Sequence, residues 1–245
     1  MAFGMVAMDV LTILLATVLY GGSARIAAET YKYVEPVAGP VVAAVAATLS
    51  FLFALLLFVA LFHRAFPTPT PGRHKVMKGS AFWGWTLNFV LKRVVYFPPL
   101  RSVLFSSNVL RYLSLRALGC KIAFTASMSI DADVMDPCLT TIGPGATLGS
   151  RVLVSSHYFE GGDLMLAPVT IGKGVLLSVD TMVAPGCVIK DDSKIHGRSS
   201  LSVFCTIGEG ATVGACCTLD SKVTIEPGEV VPFHSYRSRR DKKSA

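Results

Sequence analysis

From residue 124 onward an apolar or bulky side chain recurs every six positions. The first run is Phe124, Ile130, Ile142, Leu148 and Val154. The second is Ile171, Leu177, Val183, Ile189, Ile195, Leu201, Ile207, Val213, Leu219, Ile225 and Val231. Val154 and Ile171 are 17 positions apart, which is not a multiple of six, so the register breaks there and His157 falls inside the break. Within the hexads the fifth position is small or β-branched, as at Ala146, Val152, Val175, Thr181, Ser199 and Ala211. Glycine recurs at the fourth, preceded by proline at Pro144, Pro185 and Pro227. Proline fixes φ near about −65° and glycine accepts positive φ cheaply, which suits the central pair of a type II turn. A short strand and such a turn, repeated every six residues, coil into a parallel solenoid with the first and fifth positions inward. The fold class predicted over 121–236 is therefore mainly β.

Upstream the pattern changes. Residues 1–66 contain two apolar stretches, Ala2 to Gly22 and the uncharged Pro40 to Phe62. Each is long enough, at about 1.5 Å per residue, to cross a hydrocarbon core of about 30 Å, so they predict a transmembrane helical hairpin. Asp9 lies inside the first, where an acidic group either has a role or reaches the interface. Residues 67–79 are rich in proline and basic groups and read as a linker. Residues 80–120 carry apolar positions at helical spacing interspersed with Trp83, Trp85, Lys92, Arg93, Arg101, Arg111 and Arg116, interrupted at Pro98-Pro99. They predict amphipathic helices that lie on a membrane surface, cap the solenoid, or both.

Composition agrees: 52% hydrophobic residues and a mean hydropathy of +0.55 are too high for an ordinary soluble enzyme. The formal net charge of +7 is unevenly spread. Residues 63–123 carry ten basic and no acidic side chains, whereas 124–236 carry six basic and twelve acidic. Basic charge beside an apolar segment fits anionic lipid headgroups, and its absence from the repeat argues against nucleic acid. Arg64, Arg73, Lys75 and Lys78 follow the second apolar stretch, so the positive-inside rule places the repeat on the cytoplasmic side of an inner membrane, as part of a multi-pass protein. A basic tail, 237–245, ends the chain. Three of the six cysteines (Cys187, Cys205, Cys217) take fifth positions and read as small, reduced core residues. No spacing points to a metal or a disulfide framework.

Ile142-Gly143-Pro144-Gly145-Ala146-Thr147, Ile171-Gly172-Lys173-Gly174-Val175-Leu176 and Ile207-Gly208-Glu209-Gly210-Ala211-Thr212 resemble the hexapeptide repeats of the left-handed β-helix acyltransferases. The resemblance implies a left-handed parallel β-helix of between five and six triangular coils. It also implies a homotrimer with sites in the clefts between prisms, and acetyl-CoA or another acyl-CoA as donor, with no metal. More loosely, Tyr96 through Pro185 resembles the membrane-attached hexapeptide domains at the C-terminal end of some non-ribosomal peptide synthetases.

Ser155-Ser156-His157, followed by an irregular loop and Val169-Thr170-Ile171-Gly172, is similar to the sugar and antibiotic O-acetyltransferases of that superfamily, which implies that His157 is the general base. The chemistry needs such a group, because an acceptor hydroxyl or amine attacks a thioester poorly until its proton is removed. Glu160, Asp163 and, from the next coil, Asp180 are the acidic residues that could hold the ring. The donor groove implied by the resemblance includes Lys173, Ser178, His196 and Arg198. The sequence departs from the common pattern there, with Val175-Leu176-Leu177-Ser178 and Ile195-His196-Gly197-Arg198-Ser199, which admits a longer or carrier-bound acyl group. Gamma-class carbonic anhydrases share the solenoid but need a closer set of histidines than His157, His196 and His234. The expectation is a membrane-anchored acyltransferase acting on a lipid-linked or envelope acceptor. Its alternative is a non-catalytic trimeric membrane scaffold.

Overall fold

The computed structural model describes residues 2–239; the remainder of the basic tail, 240–245, lies outside the described residues. The repeat folds as a left-handed parallel β-helix whose three faces are six-stranded sheets, giving six coils. One sheet stacks Ile122, Ile142, Ile171, Ile189, Ile207 and Ile225 in register. The next stacks Met128, Leu148, Leu177, Ile195, Val213 and Val231, and the third Val134, Val154, Val183, Leu201, Leu219 and Arg237. Every hexad but the last, where Arg237 reaches Glu229 instead, thus points its first side chain into the prism, where Ile171, Leu177 and Ile189 are wholly buried. The fifth positions fill the corners from inside: Cys187, Cys205, Ala211 and Cys217 are also wholly buried. Positive φ recurs every six residues from Gly174 to His234; the Pro-Gly corner at Gly186 (φ 78°) is one solution and Asp192 (φ 56°) another.

The first coil departs from the predicted register. Its inward residues are Ile122, Met128 and Val134, whereas Phe124 and Ile130 are 64% and 52% exposed. Phe124 is apolar for another reason, since its ring packs edge-on against Tyr112 of an adjoining helix, 5.2 Å away. Val134 and Ile142 are eight positions apart, so the repeat breaks twice. The earlier break adds two residues around a 3-10 turn, Pro137–Leu139. The later one adds an antiparallel hairpin, His157–Glu160 with Asp163–Leu166.

Four helices precede the solenoid: α1 (Ala2–Ala65), α2 (Gly79–Val95), α3 (Pro98–Ser106) and α4 (Asn108–Ala117). Helix α1 is two arms meeting at Gly39, whose φ of 81° and ψ of 168° break the helix between Pro36 and Pro40. A Cβ at Gly22 would come within 3.0 Å of the Phe58 ring. In a straight helix those residues would be roughly 54 Å apart, so the arms fold back antiparallel. Leu15 and Leu19 of one arm and Leu52, Leu55, Leu56 and Val59 of the other belong to the same buried core as the α2 face and the solenoid interior.

Helix α2 buries Phe82, Trp85, Leu91, Val94 and Val95, so the face with the large apolar residues packs on protein and caps the first coil. Within the segment expected as a linker, a short strand, Gly72–Lys75, pairs antiparallel with Asp163–Leu166. This strap ties the hairpin to the start of α2.

Candidate active site

The site lies where the third sheet's second coil ends. After Val154 the chain leaves the prism, and a tight turn at Gly161 and Gly162 (φ 57° and 80°) sends it back. Leu164 and Leu166 anchor the returning strand against Phe82, Trp85 and Leu139 in a small satellite core. Asp163, 3% exposed, takes Arg73 Nε at 2.6 Å and Lys75 Nζ at 2.9 Å. Hydrogen bonds from Lys75 and Arg73 hold its carboxyl below the usual carboxylate range.

His157 opens the hairpin with its ring turned inward. Its Nδ1 lies 2.7 Å from Asp136 Oδ2 and 2.9 Å from Oδ1. Asp136, 3% exposed, sits in the two-residue break one coil above. Two further donors fix it: the Trp85 indole N–H donates to Oδ1 at 2.9 Å and the Ser156 backbone N–H to Oδ2 at 2.8 Å. The carboxylate thus replaces the ladder acceptor that Ser156 lacks at this corner. Trp85, Phe89 and Phe159 surround the imidazole, with ring centroids 4.8, 6.0 and 6.2 Å away. Because a carboxylate can only accept here, Nδ1 carries a proton, and in the neutral ring that leaves the lone pair on Nε2. Chemically, such an imidazole can accept a proton at Nε2 with its tautomer set from behind.

Comparison with known proteins adds a sequence relative. Over 95 residues the chain is 33% identical to the acyl-[acyl-carrier-protein]--UDP-N-acetylglucosamine O-acyltransferase of Paracoccus denitrificans (strain Pd 1222). The match covers 38% of this chain and 34% of that protein, so the chain spans about a third of the relative's length. With the six-residue repeat and the solenoid, the chain fits the hexapeptide-repeat acyltransferase superfamily. No protein-family model matches it. Solved structures with similar folds include a hexapeptide transferase family protein from Anaplasma phagocytophilum (TM-score 0.38, 18% identity, 48% of this chain and 69% of that one). Another is GDP-perosamine N-acetyl transferase from Caulobacter crescentus in complex with CoA and GDP-perosamine (TM-score 0.34, 12% identity, 55% and 62% covered).

On this hexapeptide-repeat scaffold the other predicted residues are dispersed. Glu160 is exposed at the far end of its strand, Asp163 belongs to the strap, and Asp180 is bidentate to Arg151 at 2.6 and 2.7 Å. None of the three touches His157. Lys173 is exposed at the corner between the first and second sheets, its backbone N–H donating to Asp191 Oδ1. Ser178 and His196 stack on successive coils after Leu177 and Ile195, with Arg198 exposed at the same corner. His157 leaves from the third corner. One chain therefore does not gather His157 and the four residues expected to line a donor groove around one point.

Two residues that build the site escape the hexad reading: Asp136 and Trp85. The signal for the first was present, because counting sixes from Phe124 and Ile130 lands on Asp136 where every later hexad has an apolar residue. Cys138, close by, is no nucleophile: burial and then the charge of Asp136 push its thiol up to about 12. Among the described residues no three His, Cys, Asp or Glu side chains converge as metal ligands.

Proposed function

We propose that this chain is an acyltransferase, anchored to a membrane by its apolar hairpin, that moves an acyl group from a thioester to a hydroxyl or amine. The contact between His157 Nδ1 and Asp136 carries the reading. His157 Nε2 takes the acceptor's proton, the freed oxygen or nitrogen attacks the thioester carbonyl, and the C–S bond breaks as the proton passes to the departing thiolate. Asp136 orients the ring and balances the imidazolium formed between those steps. The donor is acetyl-CoA or a longer acyl-CoA. A carrier-bound acyl group also fits, since the Paracoccus relative is named for that donor and the 175–178 and 195–199 segments depart from the common pattern. Lys173, Ser178, His196 and Arg198 would line the donor groove of a trimer, which supplies neighbouring corners that one chain keeps apart.

The membrane reading rests on α1, in which an 18-residue window reaches a mean hydropathy of 2.7. The two arms would cross as a hairpin, placing the solenoid on the cytoplasmic side of an inner membrane, beside a lipid-linked acceptor. A second reading, a non-catalytic membrane scaffold, is favoured by one observation. The His157 side chain is 14% exposed, enclosed by the rings of Trp85, Phe89 and Phe159, which leaves a substrate little of the imidazole to reach.

Thiol release from acetyl-CoA and longer acyl-CoAs, measured on the full chain with a membrane-lipid extract, decides between them. Acceptor-dependent release lost in His157→Ala supports the enzyme; the absence of turnover with every donor, carrier-bound ones included, leaves the scaffold.

A further inference from the structure

On the other side of Phe89 from the imidazole's surroundings, and separate from the corners of Lys173 and Ser178, lies a cavity of ≈ 610 Å³ bounded by Thr12 of α1, the end of α2, the start of α3 and the first coil. Three cations face it: Lys92, Arg93 and Arg101. Lys92, 8% exposed, is paired with Asp133 at 2.9 Å, and Arg93 reaches Asp9 only at 4.0 Å, with both side chains well exposed. Arg101 donates one Nη2 bond to the Ala132 carbonyl at 3.0 Å and lies over the Tyr96 and Phe105 rings. Its Nε and the Tyr96 hydroxyl are both buried without a hydrogen-bond partner. Those two atoms are sealed from solvent, so what the cavity presents to a ligand is the rest of the Arg101 guanidinium with Arg93 and Lys92, the Asp133 carboxylate lying among its lining.

The cavity and the base share a wall. Trp85, Phe89, Lys92 and Tyr96 follow one another at helical spacing along one face of α2, so they form a single stripe. Trp85 bonds Asp136 and stacks on Phe89 at 5.2 Å, and Phe89 lines the cavity while touching the His157 ring. Seven residues of helix separate Trp85 from Lys92, about 10 Å. On the opposite wall, Asp133, Met135 and Asp136 run the same way along the first coil.

We propose that this cavity binds a phosphate of the acceptor, with the acceptor's hydroxyl or amine reaching His157 along the α2 stripe. Arg guanidinium and Lys ammonium groups are what a phosphate's oxygens require. Burial lowers the pKa of Lys92, with Asp133 opposing that pull; a bound anion would add to the opposing side. The source of the phosphate is a lipid-linked molecule or a soluble one. The cavity's position where Thr12 and Arg93 meet the base of the apolar hairpin favours the former. The inference deepens the acyl-acceptor reading and rests on it for the reaction, though not for binding.

The test is binding to the full chain in detergent by titration calorimetry, with three probes: inorganic phosphate, glycerol phosphate, and a polyprenyl phosphate in the same detergent. Arg101→Gln and Arg93→Gln should each weaken binding by roughly tenfold or more, while Lys222→Gln, at the opposite end of the solenoid, changes nothing. Melting temperature checks that Arg101→Gln folds; exposed Arg93 makes its variant independent of that concern. Polyprenyl phosphate binding at least tenfold tighter than glycerol phosphate identifies a lipid-linked acceptor, and equal affinities identify a soluble one. Failure of all three probes to bind, or equal binding by both arginine variants, overturns the phosphate site even if acyl transfer is found. Conversely, His157→Ala should bind phosphate as the parent chain does, so loss of the acyl-transfer reading would leave this site standing.

Discussion

His157 Nδ1 meets Asp136 Oδ2 at 2.7 Å across two breaks in the repeat on adjacent coils. Asp136→Asn keeps the shape but offers an N–H where Nδ1 needs an acceptor, forcing the proton onto Nε2. The expected result is a fall in kcat of roughly 10²- to 10⁴-fold for this variant. His157→Ala should fall by as much, and the double variant no further. Losses that multiply in the double variant would show that the two side chains do not act as one unit.

Trp85 contributes an N–H as well as a ring. Trp85→Phe preserves the packing on Phe89 and His157 but leaves Asp136 Oδ1 with one donor fewer. Activity should drop less than in Asp136→Asn, and global stability should fall by about 1–3 kcal/mol from the lost buried hydrogen bond. Thermal unfolding beside turnover measures both.

Gly84 precedes Trp85, and a Cβ there would lie 2.2 Å from the Pro67 carbonyl oxygen. Backbone cannot swing aside as a side chain can, so Gly84→Ala pushes α2 away from the 66–71 segment and displaces Trp85. Reduced activity with an unchanged acyl-CoA KM is the expected signature; unaltered kinetics would mean that α2 has slack at this point.

The strap should respond to acid. Its pairing with the hairpin rests on Asp163, whose carboxyl is held below its ordinary value by Lys75 and Arg73. A depressed folded-state pKa stabilises above the unfolded value of about 3.9 and is lost as the pH falls through the folded one. Amides of 72–75 and 163–166 should therefore be protected from hydrogen exchange at neutral pH and lose that protection below about pH 4. Asp163→Asn should expose them at neutral pH.

Core substitutions test the solenoid itself. Ile189→Ala empties a wholly buried position in the middle of a six-strand stack, and should cost about 2–5 kcal/mol, read as a lowered midpoint of denaturation.

The solenoid was legible because its signal is redundant: eleven consecutive hexads repeat the same requirement from Ile171 onward, and one error among them would not hide the pattern. The first coil was not, because Phe124, packed on Tyr112, and the exposed Ile130 mimic core positions, and they shift the count by two. That shift also concealed Asp136, whose partnership with His157 depends on two insertions of unequal length meeting at one corner. Proximity of that kind is a property of coil stacking and carries no periodicity. Trp85 was hidden for a related reason, since an indole in a basic, aromatic helix reads as lipid-facing until the solenoid is there for it to cap.

The six-residue recurrence of positive φ from Gly174 to His234 makes the lower solenoid a screw of constant pitch. Removing 18 residues from it would bring the far end closer without turning it, whereas removing six would rotate every face below by a third of a revolution. Below Arg198 the number of coils sets only the reach of the distal end, so it can be altered without retuning the chemistry at His157.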